Sequence, residues 1–123
     1  MRKTILVIDD EEAVREVTKA TLEVFAGWTV EAVGSGPEGI ALAETNLPDA
    51  ILLDVMMPGT DGPRTLALLL ANPAIRDVPV LFLTAKVQAT DIRRFRTLGV
   101  RGIISKPFDP ARLATEIAAI LGW

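Results

Sequence analysis

The chain has 123 residues, with 13 Lys and Arg against 16 Asp and Glu and a formal charge of -3. This length predicts one domain over residues 1–123 and excludes a large multidomain enzyme. The acidic balance disfavours nucleic-acid binding by this domain, because such binding needs a basic surface. The chain contains neither Cys nor His, so a bound metal should be a hard cation such as Mg²⁺ held by oxygen atoms.

The apolar segments are too short for a membrane protein. Residues 66–71 form one such run, far below the roughly 18 residues that a membrane span needs. The run that follows Lys3 ends at Asp9, which is too short for the core of a signal peptide. We therefore expect no membrane association and a cytoplasmic location.

The first half of the chain alternates predicted strands and helices. Thr4–Ile8 is a continuous apolar run, typical of a strand buried on both faces. An amphipathic helix follows and ends near Gly27, and a second strand covers residues 28–33. A capping box at Ser35 then starts a helix that runs to about residue 46. The predicted inward face of the first helix is Val14, Val17, Thr21, Val24 and Phe25.

The alternation continues with two more strands and two more helices. Residues 49–53 and 78–83 predict the third and fourth strands, with a helix over residues 63–71 between them. A fourth helix ends at Gly99. Its inward face is Ile92, Phe95 and Leu98, and its outward face carries Arg93, Arg94 and Arg96.

The last strand and helix complete the pattern. Gly102–Ser105 is a short fifth strand. Asp109 as N-cap and Pro110 in the first helical position predict a final helix. Its predicted inward residues are Leu113, Ile117, Ile120 and Leu121.

This order of elements predicts an α/β fold: a doubly wound, five-stranded parallel sheet with five flanking helices. For a chain of this length we expect the flavodoxin-like strand order 2-1-3-4-5. Ligands of such sheets bind at the carboxyl ends of the strands, beside the switch between strands one and three. A functional site should be sought at that edge.

Polar side chains follow four of the five strands. Asp9 and Asp10 follow the first, Asp54 the third, Thr84 the fourth and Lys106 the fifth. Three carboxylates in a partly desolvated cleft repel each other unless a divalent cation or an ammonium group compensates them, which predicts Mg²⁺. Asp54 is best placed to act as a nucleophile toward a phosphoryl group. Lys106, the Thr84 hydroxyl and a neighbouring backbone N–H would hold the phosphoryl oxygens.

Each residue also has a simpler interpretation. Taken alone, Asp10 is better explained as the N-cap of the first helix, and Asp54 could form a turn. Thr84 and Lys106 could be an ordinary strand-end hydroxyl and a surface lysine. Their joint placement at one edge favours the functional interpretation.

Five short segments of the chain have an order and spacing that match a known protein family. They are Asp9-Asp10, residues 54–58 (Asp-Val-Met-Met-Pro), Asp61-Gly62, Thr84-Ala85 and Lys106-Pro107-Phe108. With them, residues 2–123 resemble the receiver domain of bacterial response regulators.

The resemblance implies a role for each site residue. Asp54 would be the phosphoacceptor. It would receive the phosphoryl group from the phosphohistidine of a sensor histidine kinase or a histidine phosphotransfer protein. Asp10, Asp54 and the Met56 carbonyl would ligate Mg²⁺, with Asp9 acting mainly through water. The phosphoryl group would be held by Thr84, Ala85 and Lys106, and the Lys106–Pro107 bond is often cis in such domains.

The resemblance also implies a signalling module, with self-catalysed phosphorylation and dephosphorylation, rather than a metabolic enzyme. Phosphorylation would switch a surface that binds a downstream protein. The switch positions are Thr84 and Ile103, and many receivers carry Tyr or Phe where this chain has Ile103. Met56 and Lys86 occupy positions that can control the lifetime of the phosphorylated state.

Two surface features have open interpretations. The basic residues Arg93, Arg94 and Arg96, with Lys86, form either a solvated helix face, which we favour, or a contact for an acidic partner. The last helix carries alanines that either pack against the sheet, which we favour, or support a homodimer through the fourth and fifth helices. These alanines are Ala111, Ala114, Ala118 and Ala119.

Three other classes share some of these features. Haloacid dehalogenase-type hydrolases carry a second Asp two residues after the nucleophile on the first strand, whereas Asp9 and Asp10 are adjacent. A flavodoxin-like FMN carrier needs a phosphate-binding loop after its first strand, where the acidic residues 9–12 would repel phosphate. A pseudo-receiver that only binds partners would not need the intact acidic pocket.

Overall fold

The computed structural model describes residues 2–56, 61–85 and 88–123. The strands are β1 (Thr4–Ile8), β2 (Thr29–Val33), β3 (Ala50–Asp54), β4 (Val80–Thr84) and β5 (Gly102–Ser105). The helices are α1 (Glu12–Ala26), α2 (Gly36–Thr45), α3 (Gly62–Ala71), α4 (Ala89–Arg96) and α5 (Leu113–Leu121). In this part of the chain, no helix is both long enough and apolar enough to span a membrane.

The strands form one parallel sheet in the order β2-β1-β3-β4-β5, which confirms the predicted α/β fold and its strand order. The central strands are apolar on both faces because helices cover both sides of the sheet. One face packs against α2, α3 and α4, through Ala43, Leu66, Leu69 and Phe95. The other packs against α1 and α5, through Leu22, Leu113 and Ile117.

Strand order decides what meets at the carboxyl edge of the sheet. β1 lies between β2 and β3, and Ile8 is the register partner of Leu53. The residues that follow Ile8 and Leu53 therefore emerge side by side. These are the positions of the predicted carboxylates, so the fold brings together residues that are far apart in the sequence.

The inward face of α1 differs from the predicted one. Thr18, Thr21 and Leu22 are buried, whereas Val17 is 51% exposed and Val24 78% exposed. Phe25, also predicted to face inward, is exposed as well. The predicted face contains Thr21 but neither Thr18 nor Leu22, so the helix is rotated about its axis relative to the prediction, which places Val17 and Val24 on its flank. Of the predicted face, Val14 packs against the core and Thr21 is buried.

Helix ends follow the predicted caps except in α4, which ends at Arg96 with Thr97 as its C-cap rather than at Gly99, and in α5. Ser35 caps α2, since its hydroxyl oxygen accepts the Glu38 N–H at 3.3 Å. Asp109 accepts the Ala111 N–H at 3.0 Å, but α5 begins only at Leu113. The Asp109 carbonyl accepts from both residue 112 and residue 113, so the intervening turn is tighter than a regular α-helical turn. The predicted inward residues of α4 and α5 are buried or half-buried.

Three of the predicted strand starts shift by one or two residues. β2 begins at Thr29 rather than at residue 28, β3 at Ala50 rather than at residue 49, and β4 at Val80 rather than at residue 78. The Val78 N–H donates to the Ile75 carbonyl and so belongs to the turn before the strand.

The burial of α1 can be tested with two aliphatic residues of the same helix. We expect Leu22→Ala to lower the free energy of unfolding by about 2–5 kcal/mol, because Leu22 is fully buried. Val24→Ala should change it by no more than about 0.5 kcal/mol, because Val24 is exposed. Urea unfolding followed by circular dichroism measures both. Equal losses would contradict the orientation of α1.

Candidate functional site

Three carboxylates meet where β1 and β3 end. Asp9, Asp10 and Asp54 each place a carboxylate oxygen within 4.8 Å of the other two. Asp9 is 0% exposed and Asp54 3% exposed, whereas Asp10 is open to solvent. The predicted acidic corner is therefore present, and two of its three charges are shielded from water.

Lys106 reaches into this acidic corner from the end of β5. Its Nζ lies 2.7 Å from Asp9 Oδ2 and 3.2 Å from Asp54 Oδ1. A third carboxylate, Glu11 Oε1, lies 3.7 Å from the same nitrogen. The Lys106 side chain is 14% exposed, so these ion pairs are formed in a partly desolvated setting where unpaired charges are costly.

Backbone hydrogen bonds orient the two buried carboxylates. Asp9 Oδ1 accepts the Glu11 N–H at 2.9 Å, and Asp54 Oδ1 accepts the Met56 N–H at 3.4 Å. The N-cap of α1 is Glu11, and no side chain caps this helix among the described residues. The structure therefore does not support the interpretation of Asp10 as a helix cap.

A divalent cation fits this donor set. Asp54 Oδ2 is buried and finds no hydrogen-bond partner within residues 2–56, 61–85 and 88–123. Such an orphaned acceptor is rare, and it lies beside two further carboxylates. One ammonium group cannot neutralise three carboxylates, so a hard cation that accepts oxygen ligands suits the remaining charge.

Burial and charge shift the pKa values of both central groups. Burial raises the pKa of Asp54 from 3.8 to about 6, and the charge of Asp9 acts in the same direction, while Lys106 opposes both. Burial lowers the pKa of Lys106, but its hydrogen bond to Asp9 and the charges of Asp9 and Asp54 outweigh this effect, so that pKa lies above its ordinary value. Lys106 thus remains an ammonium group at neutral pH.

The segment after β3 needs glycine at its end. A Cβ atom on Gly62 would lie 2.6 Å from the Asp54 carbonyl oxygen and 2.6 Å from the Val55 Cα. The Gly62 N–H donates to the Val55 carbonyl, and Asp61 caps α3 by accepting the Arg64 N–H at 2.9 Å. The Asp61-Gly62 pair therefore lets α3 start directly against the strand that carries Asp54.

The other predicted site residues line the same edge or lie behind it. Thr84 is the last residue of β4 and is fully buried, and Ala85 after it is exposed. Met56 is 58% exposed beside Asp54. Ile103 is half-buried on β5, against the core face that contains Phe82.

Two further expectations concern neighbouring residues. The Lys106–Pro107 peptide is cis, as predicted. Pro58 of the second motif and Lys86 lie outside the described residues.

Sequence analysis missed two residues of this corner. Glu11 is part of the acidic run 9–12 but is not predicted as a site residue, yet it contacts Lys106. Arg15 is not predicted as a site residue either, yet its Nη1 donates to the Asp9 carbonyl at 2.8 Å. The available signal was their position, because polar residues in the first turn of a helix that directly follows a strand lie beside the end of that strand.

The sequence matches known receivers over nearly its whole length. The family model of the response regulator receiver domain covers residues 5–118. The phosphate regulon transcriptional regulatory protein PhoB of Pseudomonas aeruginosa is 34% identical over 119 residues, which are 97% of this chain and 52% of PhoB. The alkaline phosphatase synthesis transcriptional regulatory protein PhoP of Bacillus subtilis is 37% identical over 121 residues, 98% of this chain and 49% of PhoP. The chain thus spans about half the length of these curated relatives.

Solved structures show the same fold. Chemotaxis protein CheY4 of Vibrio cholerae has a TM-score of 0.89 at 27% identity, covering 98% of this chain and 99% of CheY4. The receiver domain of the sensor histidine kinase PA1611 of Pseudomonas aeruginosa, solved with a magnesium ion coordinated in the active site cleft, has a TM-score of 0.87 at 28% identity and covers 100% of both chains. This chain belongs to the response regulator receiver domain family of two-component systems.

The raised pKa of Asp54 predicts how stability depends on pH without metal. Since the folded-state pKa exceeds the ordinary value, folding favours the protonated carboxyl, and this contribution is lost as pH rises from about 4 to about 6. We expect Asp54→Asn to raise the free energy of unfolding by about 1–3 kcal/mol at pH 7.5 in EDTA. The difference between variant and wild type should shrink toward pH 4.

Urea unfolding at both pH values measures this difference. Asp77→Asn is the matched control, because Asp77 is an exposed carboxylate away from the site. A loss of stability in Asp54→Asn at pH 7.5 would mean that the carboxylate supports the fold in the absence of metal.

Proposed function

We propose that this receiver domain accepts a phosphoryl group on Asp54 from the phosphohistidine of a partner protein, with Mg²⁺ as cofactor. The single observation that carries the proposal is the buried Asp54 carboxylate, which has one orphaned oxygen and lies beside Asp9, Asp10 and Lys106. A carboxylate buried only for stability would have both oxygens satisfied.

The transfer exchanges one bond to phosphorus for another. A carboxylate oxygen of Asp54 attacks the phosphorus, the new O–P bond forms, and the N–P bond of the donor phosphohistidine breaks. The imidazole nitrogen keeps the electron pair and takes up a proton from solvent. The transfer leaves little covalent chemistry for the other residues of the site. Positioning of the reacting groups and neutralisation of the phosphoryl charge therefore supply most of the catalysis.

The residues around Asp54 divide these tasks. Asp9, Asp10 and Asp54, with the Met56 carbonyl, would hold Mg²⁺, which when bound neutralises phosphoryl oxygens. Lys106 releases part of its ion pairing with Asp54 and binds another phosphoryl oxygen, since its ammonium group already lies 3.2 Å from the acceptor carboxylate. The Thr84 hydroxyl and the Ala85 N–H bind the third oxygen.

The phosphoryl donor must lie outside this domain, because residues 1–123 contain no His. An apolar groove of about 440 Å³ adjoins the acidic corner and gives a protein donor a surface to pack against. Val14, Val17, Pro107 and Phe108 line it, with Lys106 at one side. The exposure of Val17 supports this docking, because a large apolar side chain at the rim of a charged site favours a protein partner.

The output side of the proposal follows from the same fold. Phosphorylation would move Thr84 and Ile103 and thereby alter a surface for a downstream protein, in a module that catalyses its own phosphorylation and dephosphorylation rather than a metabolic reaction. The exposed Arg93, Arg94 and Arg96 of α4 are available to an acidic partner. Homodimerisation through α4 and α5 would use Ala111 and Ala119, which are exposed, whereas Ala114 packs against the core.

Acetyl phosphate tests the proposal directly. In the presence of Mg²⁺, we expect intact-protein mass spectrometry to show the addition of one phosphoryl group to the wild type and none to Asp54→Asn. EDTA should abolish the addition to the wild type, because the carboxylates would then repel the incoming phosphate. Asp77→Asn, an exposed carboxylate away from the acidic corner, should label like the wild type.

Two outcomes would contradict the assignment. Equal labelling of the wild type and Asp54→Asn would place the acceptor elsewhere. A wild type that stays unlabelled, and that also binds neither Mg²⁺ nor beryllofluoride, would identify a pseudo-receiver that works by binding alone.

A further inference from the structure

Arg15 ties the first turn of α1 back to the end of β1. Its Nη1 donates to the carbonyl oxygen of Asp9 at 2.8 Å, and its own backbone N–H donates to the Glu11 carbonyl at 3.0 Å. The Asp9 carbonyl belongs to the peptide group that joins Asp9 to Asp10. The guanidinium therefore fixes the orientation of the peptide from which the Asp10 side chain departs.

The other side of this guanidinium faces the segment after β2. A Cβ atom on Gly34 would lie 3.0 Å from Arg15 Nη1, a closer contact than most side chains make, and 3.6 Å from its Cζ, an ordinary van der Waals contact. Gly34 is not among the glycines with positive φ in the described chain, so its backbone does not itself require glycine. The absence of a side chain at residue 34 instead leaves room for the guanidinium.

Both ends of Asp9 are thus held by this neighbourhood. The Asp9 N–H donates at 3.0 Å to the carbonyl of Val33, the residue before Gly34. The Asp9 carbonyl accepts a hydrogen bond from Arg15. Asp9 is also held by Lys106 through its side chain. By contrast, Asp10 is exposed, and no hydrogen bond of its side chain is found in the part of the chain described here. The direction of the Asp10 carboxylate depends on the peptide group that Arg15 holds.

We propose that Arg15, seated against Gly34, is a positioning residue that holds the Asp9–Asp10 peptide so that the Asp10 carboxylate points toward the cation site. This role rests on the proposed function for the cation itself. Arg15 touches neither the cation nor the phosphoryl group, and it acts through Asp10. An arginine suits this task because its planar, rigid donor group holds one orientation while its stem packs along the helix.

The hydrogen bond between Arg15 and the Asp9 carbonyl can be perturbed by changing either Arg15 or Gly34. Arg15→Ala removes the donor, whereas Gly34→Ala keeps the positive charge and places a methyl carbon 3.0 Å from Nη1, so the guanidinium must shift by a few tenths of an ångström. We expect Arg15→Ala to weaken Mg²⁺ binding by about tenfold, the lower end of what loss of an outer-shell partner costs, and Gly34→Ala to weaken it in the same direction but by less. The double variant should bind Mg²⁺ no more weakly than Arg15→Ala, because both substitutions act on the same hydrogen bond. Isothermal titration calorimetry measures the three dissociation constants against the wild type.

A readout without metal separates positioning from stability. In EDTA, we expect the backbone ¹⁵N resonance of Asp10 to shift in the same direction in both single variants, since this nitrogen is bonded to the carbonyl that loses its hydrogen bond. Urea unfolding of the same samples reports stability. Lys19→Gln is the matched control, a change of an exposed cation one turn further along α1, and it should leave the Mg²⁺ affinity and the Asp10 resonance unchanged.

The outcomes distinguish this inference from the proposed function. Wild-type Mg²⁺ affinity in both single variants would overturn the positioning role and leave the proposed function intact. Weakening by Arg15→Ala but not by Gly34→Ala would mean that the guanidinium keeps its hydrogen bond beside a methyl group at residue 34, and would overturn the part of the inference that seats Arg15 against Gly34. Loss of the Arg15 charge by itself would strengthen Mg²⁺ binding, so tighter binding in Arg15→Ala would overturn the positioning role. If the wild type bound no Mg²⁺, the proposed function would fail, and an unmoved Asp10 resonance would independently reject the role of Arg15.

Discussion

The ion pairing of Lys106 with Asp9 and Asp54 is the constraint on which the site depends. Two carboxylates that water scarcely reaches would repel each other strongly, and the ammonium group between them makes their burial tolerable. The compensation is incomplete, because Asp10 adds a third negative charge and Asp54 retains an oxygen without a partner. The folded protein is thus arranged around an excess of negative charge, which a bound cation would compensate.

This excess of charge lies next to surfaces of a different kind. The groove beside Lys106 is apolar and gives contact area for a protein. The acidic corner is charged and suits a small cation. The exposed Val17 of α1 belongs to the first surface, which gives this apolar residue on the flank of the helix a place in the groove. Under the proposed function, chemistry and partner recognition would therefore share one edge of the sheet.

Packed side chains connect the end of β4 with α4 and β5 through the core. β4 carries Thr84 at its end and Phe82 two residues earlier, and the Phe82 ring packs edge to face against Phe95 of α4 at 5.2 Å. Phe82 is also the register partner of Ile103. A displacement of Thr84 would thus reach α4 and β5 through close-packed side chains even though Ile103 is not aromatic.

The sequence alone determined the alternation of strands and helices, the parallel sheet and the five short segments that place carboxylates, a hydroxyl and a lysine at strand ends. These features are local, since they depend on hydrophobic period, turn residues and spacing along the chain. Tertiary structure decided which flank of α1 faces water, where α5 begins, and that Glu11 and Arg15 belong to the acidic corner. The exposed flank of α1 depends on how the helix is rotated against the sheet. The contacts of Glu11 and Arg15 depend on side chains that meet only after distant segments have packed. Neither feature leaves a periodic signal in the sequence.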